Sequence, residues 1–255
     1  MQVSTQNHPH FPQNMHDKLS HIKNLGFDGY EIDGKLLLAS HKEVKRAVAS
    51  SGLPVTTACG GYEGHIGDYD EARRQAALES ISEILVALKE VGGHGMVVPA
   101  GWGLHDYADT RTPEEDFAVL SDSLRVLEAA AATNDVYIYL EPLNKQEDHL
   151  LNRLEQARQL IVENKLQRVK IIADFYHMYQ EESDIEQALR DNAAYLGHIH
   201  LADHHRFQPG SGEINFPFYQ QVLQDLGYTG DLAFECHLQG DDHDAALREA
   251  VEYLS

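Results

Sequence analysis

Short runs of apolar and β-branched residues recur along the whole chain, each about as long as a buried strand. The runs lie near Val3 and at 29–32, 54–58, 95–98, 136–140, 169–173, 198–201 and 232–234. Segments with apolar residues at helical spacing separate them, at 17–24, 41–50, 70–91, 113–133, 152–164, 184–195, 216–226 and 242–254. Eight strand and helix repeats predict an α/β fold with a parallel sheet closed into a (β/α)8 TIM barrel.

Residues at the ends of the predicted helices support these boundaries. Gly52 and Gly92 follow the second and third helices, where a left-handed residue turns the chain toward its next strand. Thr112, Pro113 and Glu115 have the spacing of an N-cap and capping box with proline at the first helical position. Because no low-complexity linker divides the chain, residues 1–255 are predicted to form a single domain.

Composition and charge narrow the function classes. The chain has 255 residues, of which 42% are hydrophobic, enough for one large core. Cys59 and Cys236 are too few for a disulfide framework, and no apolar run approaches membrane-spanning length, so a cytoplasmic protein is expected. The formal net charge of -21 disfavours binding to nucleic acid. A homo-oligomer is left open.

Four of the predicted strands end in succession on a side chain that can bind a divalent metal. These are Glu141 in VYIYLEP, Asp174 in VKIIADF, His200 in GHIHLAD and Glu235 in DLAFECH. The carboxyl ends of barrel strands meet at one mouth, so the four residues are expected to form one metal site there. Carboxylate oxygens and one imidazole suit Mn²⁺, Co²⁺ or Mg²⁺, and can accept Zn²⁺. Such an ion could stabilise the enediolate of a hydroxy-ketone while two glutamates share proton transfer.

The same residues lie in motifs that resemble those of ketose 3-epimerases of the D-tagatose 3-epimerase type. The motifs are Glu141-Pro-Leu-Asn144 with Glu147 and His149-Leu-Leu-Asn152, Asp174-Phe-Tyr-His177-Met178, Gly197-His-Ile-His200 with Arg206, and Phe234-Glu235. Two further segments, Gly212-Glu-Ile-Asn-Phe-Pro217 and Leu226-Gly-Tyr-Thr-Gly230, resemble hydroxypyruvate isomerases of the xylose-isomerase-like superfamily. The resemblance is strong over 136–237 and covers the first half only in outline.

The resemblance implies a sugar isomerase or epimerase of carbohydrate metabolism that acts on a small keto-sugar. It implies that Glu141, Asp174, His200 and Glu235 bind one metal ion, manganese being one candidate, with Glu141 and Glu235 also the catalytic acid/base pair. Glu147, His177 and Arg206 would bind the substrate. We add Trp102 and His65, with Tyr62, as candidates for the pocket wall, because they follow the third and fourth strands.

Two other functions use the same barrel. An endonuclease IV-like DNA repair enzyme needs further histidines for a trinuclear site, and the region 210–215 has no Asp-x-His. A non-catalytic sugar-binding barrel would need no acid/base pair. The sequence leaves the choice between epimerase and isomerase open. Of the other histidines, His198 is interpreted as a core residue, and His8, His10 and His16 as solvated surface.

Overall fold

The computed structural model describes residues 1–254, and within them eight parallel strands close into a barrel in sequence order. The strands are β1 (Gln2–Thr5), β2 (Gly29–Asp33), β3 (Val55–Cys59), β4 (Gly95–Pro99), β5 (Tyr137–Glu141), β6 (Val169–Asp174), β7 (Leu196–Leu201) and β8 (Asp231–Phe234). Pairing of β1 with β8, in the register Thr5 to Phe234, completes the closure. The predicted (β/α)8 barrel is confirmed, and every predicted run is a strand.

Helices connect the strands on the outside of the barrel. They are α1 (Met15–Asn24), α2 (Gly34–Ser51), α3 (Glu71–Val91), α4 (Pro113–Asn134), α5 (Leu154–Asn164), α6 (Phe175–Glu181), α7 (Ile185–Asn192), α8 (Phe216–Asp225) and α9 (His243–Tyr253). Short 3-10 turns lie at His105–Tyr107 and Ala193–Tyr195. Among the residues described, no helix is long and apolar enough to cross a bilayer.

The helix ends follow the predicted signals, with two differences. The capping box at the start of α4 is present: Thr112 Oγ1 accepts from Glu115 N at 3.2 Å, and Glu115 Oε2 accepts from Thr112 N at 2.7 Å. The second helix begins at Gly34 rather than 41, because Ser40 (φ -137°) only kinks it. The short helix α6 was not predicted. It begins directly after β6, where Asp174 caps it by accepting from Tyr176 N and His177 N.

Side-chain alternation along the strands divides the core into two regions. Tyr30, Ile32 and Phe234 face outward and pack in the large cluster between sheet and helices. Tyr139 lies inside the barrel with Val97 and Ile172. A Cβ on Gly95 would lie 2.3 Å from Tyr139 Cε2, so glycine at that position makes room for the ring. Above this apolar layer, the inward positions toward the mouth are polar.

Candidate metal and catalytic centre

The structure brings the four predicted ligand residues together at the mouth of the barrel. Glu141, Asp174 and His200 are the last or nearly last residues of β5, β6 and β7, and Glu235 directly follows β8. His200 Nδ1 lies 3.6 Å from Glu141 Oε1, 3.6 Å from Asp174 Oδ2 and 2.8 Å from Glu235 Oε2. One ligand atom from each of the four lies within 4.8 Å of the others.

Glu31, a residue that the sequence analysis missed, orients His200. It lies in the middle of β2, is buried inside the barrel, and places Oε1 2.8 Å from His200 Nε2. Because an ionised carboxylate only accepts, Nε2 carries a proton, and Nδ1 in its deprotonated form would direct its lone pair toward the three carboxylates. A carboxylate that fixes the far nitrogen of an imidazole in this way is typical of histidines that bind metals.

The remaining contacts of Glu31 saturate its carboxylate. Gln6 Nε2 donates to Oε1 at 2.9 Å, while Thr57 Oγ1 and His198 Nε2 approach Oε2 at 2.6 and 2.9 Å. His198 is completely buried, which agrees with its interpretation as a core histidine. The two oxygens therefore already have four donors.

This saturation decides between the two groups of potential ligands that include His200. Besides the four residues at the mouth, Glu31, His198 and His200 are close enough together to hold an ion. An ion at Glu31 would displace hydrogen bonds that are already made. At the mouth, Arg206 donates to Asp174 Oδ2 and Glu235 Oε2, but Glu141 Oε1 and His200 Nδ1 are buried and make no well-directed hydrogen bond among the described residues. Three carboxylates converging on one imidazole nitrogen are stabilised by a cation, so the residues at the mouth fit a metal.

Burial and neighbouring charge act in opposite directions on the carboxylates. Burial raises the pKa of Glu141, and the charge of Glu235 adds to that effect. Burial alone would also raise the pKa of Glu235, but the Arg206 guanidinium and His200 lower it below the usual range. Burial disfavours the imidazolium of His200, yet the charges of Glu31 and Glu235 raise its pKa well above the ordinary value. The site thus holds one carboxylate that favours the protonated form and one that favours the ionised form.

Arg206 binds two of the predicted ligands. Its Nη1 lies 2.6 Å from Asp174 Oδ2 and its Nη2 contacts Glu235 Oε2, with the guanidinium 4.7 Å from the centroid of the Tyr176 ring. The residue has a left-handed backbone (φ 65°). The sequence analysis predicted a substrate contact here. The structure places the guanidinium against the carboxylates of Asp174 and Glu235 and in the wall of a cavity, so it can contact these carboxylates and a molecule in the cavity.

The five residues predicted to bind substrate line one cavity above the four ligands, of about 290 Å³, which we call the inner cavity. They are Glu147, His177, Arg206, Trp102 and His65. Tyr62, Glu141 and Glu235 also line it. Trp102 is 62% exposed, so its ring is free to contact a ligand at the entrance. The structure therefore gathers all the predicted substrate residues, and their binding role stays a prediction.

Asn144, which was not predicted as a site residue, positions two members of this wall. Its backbone N donates to His177 Nδ1 at 3.1 Å, and its Nδ2 donates to Glu147 Oε1 at 2.9 Å. Because His177 Nδ1 accepts, its proton is on Nε2, which lies 4.0 Å from Asp174 Oδ2. Asn144 thus fixes a hydrogen-bond donor of His177 beside the predicted ligands.

A second cavity of about 490 Å³, which we call the side cavity, meets the inner cavity at Arg206 and Glu235. Its wall comes from the loop after β1 and the segment after β8, and includes Asn7, His8 and His237. A larger cavity, about 610 Å³, lies over α4 and α5, and none of the four ligand residues lines it.

The interpretation of His8 as solvated surface is wrong. Its side chain is only 5% exposed, with Nε2 3.3 Å from Thr5 Oγ1. Burial lowers its pKa to about 4, and the nearby His10 and His243 add to the shift. The polar sequence around His8 concealed this burial, because it depends on how the loop after β1 folds, which places the ring 5.1 Å from that of the buried Phe11.

Comparisons of the sequence and of the structure with known proteins indicate the same family. Residues 19–255 match the model of the xylose isomerase-like TIM barrel family. The chain is 49% identical to the 3-dehydro-D-guloside 4-epimerase of Escherichia coli K12, over 100% of this chain and 99% of the relative. The crystal structure of the E. coli 3-keto-D-glucoside 4-epimerase in its apo form superposes with a TM-score of 0.97 at 49% identity, covering 100% of this chain and 98% of that one.

More distant relatives include both enzyme types noted in the sequence. A D-psicose 3-epimerase of Ruminiclostridium cellulolyticum is 28% identical over 84% of this chain and 75% of its own. The hydroxypyruvate isomerase of E. coli is 31% identical over 46% of each chain. The predicted resemblance to ketose 3-epimerases and hydroxypyruvate isomerases is confirmed.

Proposed function

This chain belongs to the xylose isomerase-like TIM barrel family, and we propose that within it the protein is a divalent-metal-dependent epimerase of keto-sugar glycosides. Its relatives are sugar epimerases and isomerases, so a sugar substrate follows from the family. The observation that carries the finer proposal is the convergence of Glu141, Asp174, His200 and Glu235 around buried atoms without hydrogen-bond partners.

The four residues would hold one ion, with Glu31 keeping the Nδ1 lone pair of His200 directed at it. Three carboxylates and one imidazole favour Mn²⁺, Co²⁺ or Mg²⁺, and Zn²⁺ fits as well. When bound, the ion supplies a Lewis acid that polarises the carbonyl and the neighbouring hydroxyl of the sugar. Every other part of the chemistry belongs to side chains of the chain.

Glu141 and Glu235 are the proposed acid and base. They come from β5 and β8, so they approach the inner cavity from two directions. Epimerisation requires removal of the proton on the carbon next to the carbonyl and return of a proton to the opposite face of the enediolate. We assign Glu141 and Glu235 as a pair in which one glutamate removes the proton and the other returns a proton to the opposite face, with the roles exchanged in the reverse direction.

The glycoside part of the proposal rests on the two cavities. The inner cavity, with Glu147 and His177, would bind the keto-sugar ring. The side cavity opens at the same carboxylate, Glu235, and offers a polar wall to a substituent on the anomeric carbon. The 49% identical relative carries a name that describes a 3-dehydro-guloside and epimerisation at carbon 4. We propose the same position for this chain.

The direct test is a substrate panel of 3-keto-D-glucosides and free ketohexoses, assayed with Mn²⁺, Co²⁺ or Mg²⁺ after removal of metal by a chelator. The expected result is metal-dependent inversion at carbon 4 of the 3-keto-glucosides. In D₂O, one solvent deuterium should be found at that carbon. Inverted product without deuterium would contradict removal and return of the proton by two different glutamates, and full activity of the metal-free protein would contradict the metal.

Variants separate the acid/base pair from ligand binding. Glu141→Gln and Glu235→Gln each remove a proton acceptor and are expected to lower kcat by about 10²- to 10⁴-fold. Since both are also proposed ligands, the metal content of each variant must be measured beside its rate. Glu252→Gln, at an exposed position of α9, is a matched control and should leave both unchanged.

A further inference from the structure

Two imidazoles and a carboxylate converge on the outer rim of the barrel, beside the side cavity. His10 Nε2 lies 3.1 Å and His21 Nε2 lies 3.0 Å from the same atom, Asp244 Oδ1. His10 comes from the loop between β1 and α1, His21 from α1, and Asp244 from the first turn of α9. We call these three residues the rim cluster. The proposed function does not use them.

The spacing within the rim cluster is close to that of a tetrahedral transition-metal site. Nitrogen and oxygen ligands at 2.0–2.2 Å from a tetrahedral ion lie about 3.3–3.6 Å from one another. The two distances to Asp244 Oδ1 are a few tenths of an ångström shorter than this separation between ligand atoms, and all three ligand atoms lie within 4.8 Å of each other. Small side-chain rotations are therefore enough to admit an ion in place of the two shared protons.

Packing holds the two imidazoles in place before any ion binds. The ring of Phe11, which is 2% exposed, contacts His10 at a centroid distance of 4.7 Å and His21 at 5.4 Å. The ring of His243 lies 5.2 Å from His10. About a quarter of each of the three side chains remains exposed, at 26%, 27% and 28%, so an ion can enter from solvent. The nearest cation, Arg248, approaches only the other oxygen of Asp244, at 3.9 Å.

We propose that His10, His21 and Asp244 bind a second metal ion, of the class of Zn²⁺, Ni²⁺ or Cu²⁺, with water completing the coordination. Two imidazoles with a single carboxylate suit these ions and not Mg²⁺ or Ca²⁺, which prefer oxygen. The rim site therefore differs in metal preference from the oxygen-rich site at the mouth.

Occupation of the rim site would fix part of the entrance to the active centre. His10 and His243 also line the side cavity, which reaches Arg206 and Glu235. An ion shared by the loop after β1, α1 and α9 would tie that loop to two helices and limit the positions that the cavity wall can adopt.

The test compares metal content. Protein treated with a chelator is equilibrated with Zn²⁺ at a buffered micromolar concentration, desalted and analysed for zinc. The wild-type chain is expected to retain one more zinc ion per chain than His21→Gln or His10→Gln. Zn²⁺ should also raise the Tm of the wild-type chain more than that of either variant, while Mg²⁺ should not compete for this increment.

His16→Gln is the matched control, because His16 lies on the same helix as His21, pairs with Ser50 Oγ at 2.7 Å and is not part of the rim cluster. It should retain the additional ion. Equal zinc content in the wild-type chain and both rim variants would overturn the proposal. The test uses the difference in zinc content between the wild-type chain and the variants. If the proposed site at the mouth did not bind metal, the zinc content of all proteins would be lower by the same amount, and this difference would not change. Circular dichroism of the metal-free variants confirms that a lost ion does not reflect unfolding.

Discussion

Replacing Glu31 with Gln tests whether the buried carboxylate both stabilises the barrel and orients His200. The native carboxylate accepts from Gln6 and His200 at Oε1, and from Thr57 and His198 at Oε2. A glutamine keeps the shape of the side chain but has a nitrogen in place of one oxygen, and that nitrogen can only donate.

The expected loss of stability in Glu31→Gln follows from counting the hydrogen-bond donors that lose their acceptor. If the amide nitrogen faces His198, Thr57 can rotate its hydroxyl to accept, but one buried imidazole N–H remains unpaired. If it faces His200, Gln6 can turn its amide, and again one imidazole N–H remains. One unpaired buried donor costs about 1–3 kcal/mol of unfolding free energy. Loss of the negative charge behind His200 should also weaken metal binding at the mouth by about 10- to 100-fold.

Two measurements check these values. Urea unfolding of the chelator-treated protein gives the stability difference, and titration with Mn²⁺ gives the affinity. Glu252→Gln, an exposed glutamate replaced in the same way, should change the stability by less than about 0.5 kcal/mol. If Glu31→Gln were as stable as this control and bound Mn²⁺ with unchanged affinity, the role assigned to Glu31 would be refuted.

Three further changes test other parts of the structure. Arg206→Ala removes the proposed charged hydrogen bonds to the substrate, and should lower kcat/KM by about 10- to 100-fold in the metal-loaded protein, with unchanged kinetics excluding a substrate contact. Burial lowers the pKa of His8 to about 4 in the folded chain. As the pH falls below 6.5, the imidazole of the unfolded chain is therefore protonated while that of the folded chain stays neutral, and this difference favours unfolding. Acidification to pH 4 should therefore remove up to about 3 kcal/mol of stability, and His8→Gln should flatten that loss in urea titrations at several pH values. Gly95→Ala places a methyl group 2.3 Å from Tyr139 and should destabilise the barrel by about 1–3 kcal/mol, whereas wild-type stability would show that the ring can move aside.

The strands and the four residues at their ends could be predicted because both signals are local. An apolar run followed by Glu141 or Asp174 is visible without knowing what lies beside it. Since parallel strands share one direction, ligand-type residues at successive strand ends must meet at one mouth. The resemblance to known motifs added the assignments of Glu147, His177 and Arg206, and the structure places all three in the inner cavity.

The residues that were missed depend on contacts between distant strands. Glu31 lies between Tyr30 and Ile32, and only alternation along β2, combined with barrel closure, places it inside and opposite His200. Asn144 was part of a recognised motif, but its role becomes visible only through its two donors to His177 and Glu147. The burial of His8 likewise depends on how the loop after β1 folds over the rim.

The positions of the proposed ligands along the chain have a consequence for biosynthesis. All four proposed ligands lie between residues 141 and 235, while Glu31, which orients His200, emerges from the ribosome more than 100 residues before the first of them. The first strand must wait for the last one, its partner in the register Thr5 to Phe234, before the barrel can close. Such distant pairing slows folding. A nascent chain halted before residue 231 would carry an imidazole and two carboxylates without the final glutamate, so incorporation of the metal is expected to follow synthesis of β8 and closure of the barrel.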